Sequence, residues 1–503
     1  MTISITNVAK NALKFSMVQM IGAIVSLLAS LYIATIVLPD EYGIYGFLLL
    51  WLIYATLISP GISSAGSREM PGLLGKGEVA AAIRIQNVSL TPELIWTLIP
   101  FAAIIIASFF FTDFTYKAGL IIVAFSYLTG RITNFWRGYT FIREKFNTVV
   151  IGNLIQFVAV PVLTLLAVSW LKVYALVLAP LVVNIIVWLY FLKKSPINYA
   201  FVLDRKEIFR LLKIGIVLQA GTAVYYIYQL MDRTIIAAML SQEQLGLYTY
   251  AMGFVMFALA IPDSFTSVLQ PILWRHAEKA KSIIEGFSDA KRIAVYFALG
   301  TAMLIPLIQI GYYLVVNLIT VNYLGSIQIF SVLSYNLYLV AIMVIPNIIL
   351  RSSIVNKQRI NLLLYAIGLV ICILLNILVI HLGYGVVGVA WVTVGSQCLV
   401  TLAIYWYARH YMFTNMAEYA QFQMKILAPL VVAFGFFFLH RYLESSFGLR
   451  GFTGISLATQ IIAWGLLIII FYRDYISVKE IKALTAQIKE DLRSSRAKKL
   501  TKK

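Results

Sequence analysis

Runs of about 20 apolar residues, each long enough to cross the hydrocarbon core of a bilayer, recur along the whole of this chain. Hydropathy separates them into candidate spans at 15–38, 42–66, 84–111, 116–138, 148–170, 173–192, 211–233, 245–270, 292–318, 327–350, 360–380, 384–407, 424–442 and 452–472. A segment inside lipid must satisfy its own backbone N–H and C=O groups, so each run is expected to be a helix. The expected fold is an all-α polytopic membrane protein of about 14 transmembrane helices. Composition agrees, with 61% hydrophobic and 12% charged residues among 503 and a mean hydropathy of +0.88. Soluble chains carry roughly twice that share of charge. The first run, 15–38, is too long for a signal-peptide core and has no small-residue cleavage site after it, so no cleavable signal is expected. Prolines such as Pro60, Pro92, Pro161, Pro262 and Pro306 fall within spans, where neighbours can satisfy the carbonyl a proline frees.

The basic residues set the orientation. Of the 40, Lys117, Lys172, Arg233, Arg441 and Arg450 fall on one side and Arg131 lies inside a span; all the others fall on the opposite side. Cytoplasmic loops carry the excess of Lys and Arg, so both termini are expected in the cytoplasm, with the protein in the cytoplasmic (inner) membrane. The net charge of +19 therefore reports topology, and no nucleic-acid partner is expected. The external loops are short. The connection 193–210 is polar and mixed in charge, as a linker between two six-helix halves would be. The expected organisation is a bundle over 1–192, a linker over 193–210, a second bundle over 211–407, two further helices over 408–472 and a basic tail over 473–503. The polar connection from Trp274 to Arg292 reads as a surface helix. Val478, Ile481, Leu484, Ile488 and Leu492 are at helical spacing in the tail, which suits an amphipathic helix on anionic lipid or a solvated topogenic tail.

An internal echo supports the two halves. Pro39-Asp40-Glu41-Tyr42-Gly43-Ile44-Tyr45 resembles Ser241-Gln242-Glu243-Gln244-Leu245-Gly246-Leu247-Tyr248, and Pro60 follows Gly43 at nearly the distance at which Pro262 follows Gly246.

Signatures of catalysis are missing. Gly72-Leu73-Leu74-Gly75-Lys76-Gly77 is glycine-rich but lacks the spacing and the Ser/Thr of a P-loop, and there is no HExxH, DxD or GxSxG. No enzymatic activity is expected. The two cysteines, Cys372 and Cys398, and the four scattered histidines give no basis for a disulfide framework or a metal centre, and no cofactor is expected.

Charged groups inside spans are the remaining candidates, because a charge at mid-bilayer costs about 2.5–3.5 kcal/mol on insertion scales and usually faces a cavity or a partner. Glu93 and Arg131 lie at similar depth in neighbouring spans and suit an ion pair, either structural or part of a coupling site. Asp263, after Pro262, suits a coupling proton or Na⁺, or a cap on a freed carbonyl. Lys14, Arg68 and Arg275 stand at the inner ends of their spans. They either snorkel to lipid phosphate or ring a basic vestibule suited to a phosphate-bearing substrate. Asp232-Arg233 ends the seventh span after Tyr225, Tyr226 and Tyr228. Asp232 and Arg233 are the candidate outer gate, Arg233 closing on Asp40 or Glu41, although Asp232 could satisfy Arg233 locally, and the tyrosines suit an aromatic belt or a sugar-facing wall.

Lys14-Phe15-Ser16 through Pro39-Asp40-Glu41-Tyr42-Gly43-Ile44-Tyr45 and Gly61 resembles the N-terminal segment of polysaccharide biosynthesis proteins. These are the Wzx-type flippases of the multidrug/oligosaccharidyl-lipid/polysaccharide exporter superfamily. Met231-Asp232-Arg233 with Gly246-Leu247-Tyr248 and Pro262 resembles their second-half signature, and His381 through Trp391 is similar to the start of their twelfth helix. The resemblance implies two pseudo-symmetric six-helix bundles around a central cavity plus two C-terminal helices. It also implies an alternating-access translocase for an undecaprenyl-pyrophosphate-linked oligosaccharide, such as an O-antigen repeat unit. Cationic cavity residues would hold the pyrophosphate: by position Arg68 and Arg275, with Arg131 and Lys14 as further candidates. The lipid-linked oligosaccharide, membrane lipid, a polymerase and glycosyltransferases of the same pathway are the partners implied. Relatives that flip peptidoglycan precursors carry more arginines in the first two helices. The first span here has none, which argues against that substrate. A cation-coupled small-molecule antiporter of the same fold is the alternative, and a membrane polymerase or ligase is a weaker one because the external loops are short.

Overall fold

The computed structural model describes residues 5–472 apart from 196, 198, 281 and 353, and not the side chains of some others, Asp263 and Arg275 among them. Fifteen helices account for nearly all of it, and the described residues contain no strand. Twelve helices are long and apolar enough to span a membrane, and a bent pair makes a thirteenth span. The 38-residue helix from Gln242 to Lys279 stands where the eighth span is expected.

In chain order the first lobe comprises α1 (Ile5–Ile36), α2 (Pro39–Leu57), α3 (Ile62–Gly75), α4 (Val79–Ser108), α5 (Phe114–Ile142), α6 (Phe146–Leu171) and α7 (Val173–Lys194). The second comprises α8 (Arg205–Met239), α9 (Gln242–Lys279), the short α10 (Ile283–Gly286), α11 (Ser288–Leu318), α12 (Ser326–Arg351), α13 (Gln358–His381) and α14 (Gly385–Met412). The last, α15 (Met416–Phe471), packs mainly on α11.

Local chemistry starts and stops these helices. Pro39 opens α2, where a missing N–H costs nothing, and the Glu41 carboxylate accepts from the Leu38 N–H at 3.2 Å. Ser241 caps α9 by accepting from the Gln244 N–H at 3.3 Å, while the Gln244 side chain reaches back to the Ser241 N–H. Asp113 and Asn415 cap α5 and α15 in the same manner. Within α15, Gly448 at φ 65° and ψ −168° separates the two spans expected over 424–472.

Three sequence expectations change. The second span is not one helix. It breaks at 58–61 and bends by 55° between α2 and α3, with Gly61 in the left-handed region at φ 71°. The linker is shorter than expected, because Asp204 caps α8 by accepting from the Glu207 N–H, so residues 205–210 are already helical. At 35 residues, α8 is roughly 50 Å long, well beyond a bilayer core of about 30 Å, and its first turns can stand clear of the lipid on the basic side. Finally, the connection from Trp274 to Arg292 is not a separate surface helix: α9 runs on to Lys279, one turn of α10 follows, and α11 begins at Ser288. The tail helix expected over 478–492 lies outside the described residues.

The cores of the lobes differ. Helix α12 is the post of the second lobe, with Phe330, Leu333, Tyr338, Ile345 and Ile349 all buried. The Tyr335 hydroxyl donates to the Ala433 carbonyl of α15 at 3.1 Å, and Tyr338 donates to that of Ile426, so α15 is anchored by buried hydrogen bonds as well as apolar contact. The first lobe has smaller clusters, around Leu48, Leu120 and Tyr127 and around Met70, Trp136 and Phe191. Its polar side chains are concentrated on α4, where Gln86, Ser89, Thr91, Glu93 and Thr97 are all buried.

Candidate functional site

The two lobes meet along α2 and α3 of the first and α8 and α9 of the second. At the end away from the basic loops, α2 and α9 cross at the glycines of the repeated motif. A Cβ on Gly43 would lie 1.9 Å from the Gln242 carbonyl oxygen, and one on Gly246 would lie 1.7 Å from that of Pro39. Pro39 is to Gly43 as Gln242 is to Gly246, so the contact is reciprocal, as a two-fold-related interface requires. The sequence echo is therefore a helix crossing that only glycine permits. Tyrosines pack beside it: Tyr42 lies edge-on to Tyr250 at 5.9 Å and to Tyr323 at 6.0 Å. The Tyr323 hydroxyl donates to the Val37 carbonyl at 2.9 Å. This end is held shut.

Deeper, Tyr54 of α2 hydrogen-bonds Thr234 of α8 at 2.6 Å, and Gln219 of α8 donates to the Leu57 carbonyl at 3.2 Å, next to the break. Gly61 then meets Gly215: a Cβ on either would lie 2.4 Å from the other's carbonyl oxygen. At the basic end, Arg210 of α8 grips Glu69 of α3 through both guanidinium arms, at 2.7 and 2.6 Å, and also pairs with Glu207. A planar fork on a carboxylate fixes geometry as well as charge. Arg84 of α4 binds Asp204 at 2.7 Å. The Asp204 carboxyl is held below the usual range, first by the Glu207 N–H and then by Arg84. Arg210, counted by sequence only as a topogenic charge, is thus a latch between lobes.

Glu93 and Arg131 come together at 2.6 Å, and the Glu93 side chain is fully buried. The same carboxylate accepts from the Ser59 hydroxyl and from the Ser63 N–H, the latter at 3.2 Å. Ser59 lies in the break and Ser63 in the first turn of α3, whose free N–H groups favour a negative charge. Arg131 also lies over the Phe135 ring at 4.8 Å. The pair is a clamp on the broken span, and its charges cancel, so Arg131 is not a free cation here.

Asp232, expected at the outer gate, faces inward. It is 2% exposed, accepts from the Tyr248 hydroxyl at 2.5 Å and from the Arg233 N–H at 2.6 Å, and lies 3.6 Å from the Arg233 Nε. Asn336, Thr393 and Ser396 line a gap of about 10 Å³ beside it. Arg233 donates to the Gln229 carbonyl at 3.0 Å. Glu41, its expected acidic partner, instead binds Lys172 at 2.7 Å. Among the described residues Arg233 makes no ion pair with Asp40 or Glu41, because Arg233 and Glu41 each find an opposite charge nearer in their own lobe. The Glu41 hydrogen bond also raises the Lys172 ammonium above its ordinary pKa.

Of the expected cationic set, Arg68 is exposed on α3, one residue before the Glu69 that Arg210 holds. The Lys14 ammonium donates to Asn147 of α6 at 2.7 Å, a neutral partner. Asp263 and Arg275 are carried on α9, but their side chains lie outside the described residues. Sequence reading missed Arg143, which donates to the buried Gln86 at 2.7 Å, and Arg137, which donates to Asn134 at 2.9 Å and to Gln156. The run of amides and hydroxyls along α4 was their available signal. No group of three or more His, Cys, Asp or Glu suited to a metal ion occurs among the described residues.

The sequence profile of polysaccharide biosynthesis proteins matches residues 8–276, just over half of the chain. The chain belongs to the polysaccharide biosynthesis protein family. Solved structures extend the likeness to the whole fold of this family member. It superposes on the lipid II flippase MurJ in an inward closed conformation with a TM-score of 0.70 at 15% identity, covering 92% of this chain and 99% of that one. An inward-facing multidrug resistance MATE transporter of the MOP superfamily matches with a TM-score of 0.64 at 14% identity, covering 80% and 95%. An outward-facing MATE transporter matches at 0.53 and 14%, covering 82% and 96%. No curated protein sequence matches the chain significantly. At these identities the likeness establishes the fold: two lobes of membrane helices, of the MurJ and MATE type.

Proposed function

We propose that this protein carries an undecaprenyl-pyrophosphate-linked oligosaccharide, a repeat unit of O-antigen or another surface polysaccharide, across the cytoplasmic membrane by alternating access. Membership of the polysaccharide biosynthesis family is the observation that carries this reading. The fold adds support, since the flippase match covers 92% of the chain, against 80% for the inward-facing multidrug transporter. In this reading the termini are cytoplasmic, and the seams described above are the gates: the Gly43–Gly246 crossing on the outside, and Gly61–Gly215 with Arg210–Glu69 on the inside.

The substrate needs a polar path for its sugars, a lateral opening for its lipid and a cation for its pyrophosphate. Arg68, Arg275 and Lys14 are the proposed cations, all at the inner end, where the substrate would enter; Arg131 is assigned to the clamp with Glu93. For coupling, Asp232 joins Asp263 as a candidate, being a buried carboxylate held by hydroxyls and one guanidinium, an arrangement that can exchange a proton or a cation. Polymerase and glycosyltransferases of the same pathway would be its working partners, and no catalysis is assigned to it.

The test is complementation of a flippase-deficient strain for surface polysaccharide. Arg68→Ala and Arg275→Ala should each cut display by tenfold or more while the protein still reaches the membrane. Full display in both would remove the basic vestibule from the account.

A further inference from the structure

A cavity of about 160 Å³ lies away from the lobe interface, at the outer end of the second lobe, where α15 packs against α11, α12 and α14. On the order of ten waters would fill it. Its lining is of two kinds. Gln309, Gln328, His440, Arg441 and Glu444 bring planar polar groups, and Trp391 brings an aromatic face. Gln309 and His440 are buried at the floor, 5% and 7% exposed. Gln328, Arg441 and Glu444 are exposed at the mouth.

The floor is built rather than incidental. The Gln309 amide donates to the Ser331 carbonyl at 3.0 Å and to the Ser334 hydroxyl at 2.8 Å, which fixes its plane. The Gln460 side-chain amide lies 3.1 Å from His440 Nε2, which fixes the plane of the imidazole. Trp391 is braced by Phe434 and Phe437 at 5.8 and 6.1 Å, yet remains 39% exposed. Phe452, from beyond Gly448, lies tilted against Tyr313 with ring centroids 4.3 Å apart and closes the far wall. Among the other outer basic residues, Lys172 is paired with Glu41, Arg233 with Asp232, and Lys117 lies over Phe109. Arg441 has no partner among the described residues.

An aromatic face beside several planar hydrogen-bonding groups is complementary to a pyranose ring. The ring's C–H face packs on the indole, and its vicinal hydroxyls span two-pronged amide, carboxylate and guanidinium groups. A lipid tail would leave these polar groups unpaired, and a bare phosphate would meet the Glu444 charge without using Trp391. We propose that this pocket is a saccharide-binding site, placed to hold one sugar of the exported glycan on the outer side, away from the path between the lobes. The proposal rests on the oligosaccharide-flippase reading for its biological ligand, but its chemistry can be tested alone.

The experiment is saturation-transfer NMR on the full chain in detergent, with methyl glucoside, methyl N-acetylglucosaminide and methyl glucuronide as probes. At least one should bind saturably. Trp391→Ala should abolish that binding. Gln328→Ala and Glu444→Ala, both at the exposed mouth, should weaken it about tenfold each. Trp170→Ala, on an 84% exposed indole of α6, should leave it unchanged. No saturable binding of any probe, or equal binding by the Gln328, Glu444 and Trp391 variants, overturns the site. Transport without saccharide binding overturns the site alone. Saccharide binding that Trp391→Ala removes, in a protein that does not transport, upholds the site and overturns the flippase reading.

Discussion

Gly246→Ala is the perturbation for which the structure supplies the clearest magnitude. The added methyl would start 1.7 Å from the Pro39 carbonyl oxygen, whereas a carbon and a carbonyl oxygen settle at about 3.3 Å or more. The crossing of α2 and α9 must therefore open by about 1.5 Å, or the backbone must bend. Overpacking of this kind costs roughly 1–3 kcal/mol. That cost falls on the outer-closed state only, so the balance should move toward states with the outer ends apart by about 5- to 150-fold, at 1.36 kcal/mol per decade. Spin labels at Asp40 and Glu243, both exposed at the two helix starts, read the change as a longer distance component in pulsed dipolar spectroscopy. Gly253→Ala is the control, on the same helix with open space around its Cβ, and it carries the same gain in helix propensity. An unchanged distance distribution in a folded Gly246→Ala protein would refute the assignment of this crossing as the outer gate.

Arg210→Ala and Glu69→Gln should each loosen the inner end. The pair is partly exposed, so its double-mutant coupling should be about 1 kcal/mol or less, seen as a shift of up to about fivefold in a label distance between positions 72 and 205; zero coupling would make the latch incidental. Glu93→Gln leaves the mostly buried Arg131 without a counter-charge, which typically costs about 3–5 kcal/mol. It should lower the Tm of the purified protein, with Arg131→Gln on top restoring part of the loss, and an unchanged Tm would dismiss the clamp.

What could be read from sequence followed what repeats or what is rare. Gly43 and Gly246 were visible because two halves carry the same crossing, and the side-chain-free approach allows no other residue. Glu93 and Arg131 were visible because two charges at equal depth in adjacent apolar spans have few alternatives to each other. The break at 58–61 was not visible, since hydropathy averages across it, and the left-handed Gly61 and the Glu93 carboxylate that help hold it carry no hydropathy signal of a break. Nor was the inward turn of Asp232: one residue decides which face of α8 it occupies, and the Tyr248 that holds it belongs to another helix. Arg210 looked like every other charge of the basic loops, because its meaning depends on Glu69 of the opposite lobe. The pocket by Trp391 is assembled from four helices distant in sequence, and no local pattern announces it.

The central claim is translocation of a lipid-linked glycan without chemistry, and liposome reconstitution tests it most directly. The purified protein is placed in vesicles holding an undecaprenyl-pyrophosphate-linked oligosaccharide, and the glycan reachable by an added membrane-impermeant glycosidase is followed over time. The account predicts that the protected half becomes accessible, in the absence of ATP and with the glycolipid chemically unchanged before digestion. Protection equal to that in protein-free vesicles, under imposed proton and Na⁺ gradients of either sign, would contradict it.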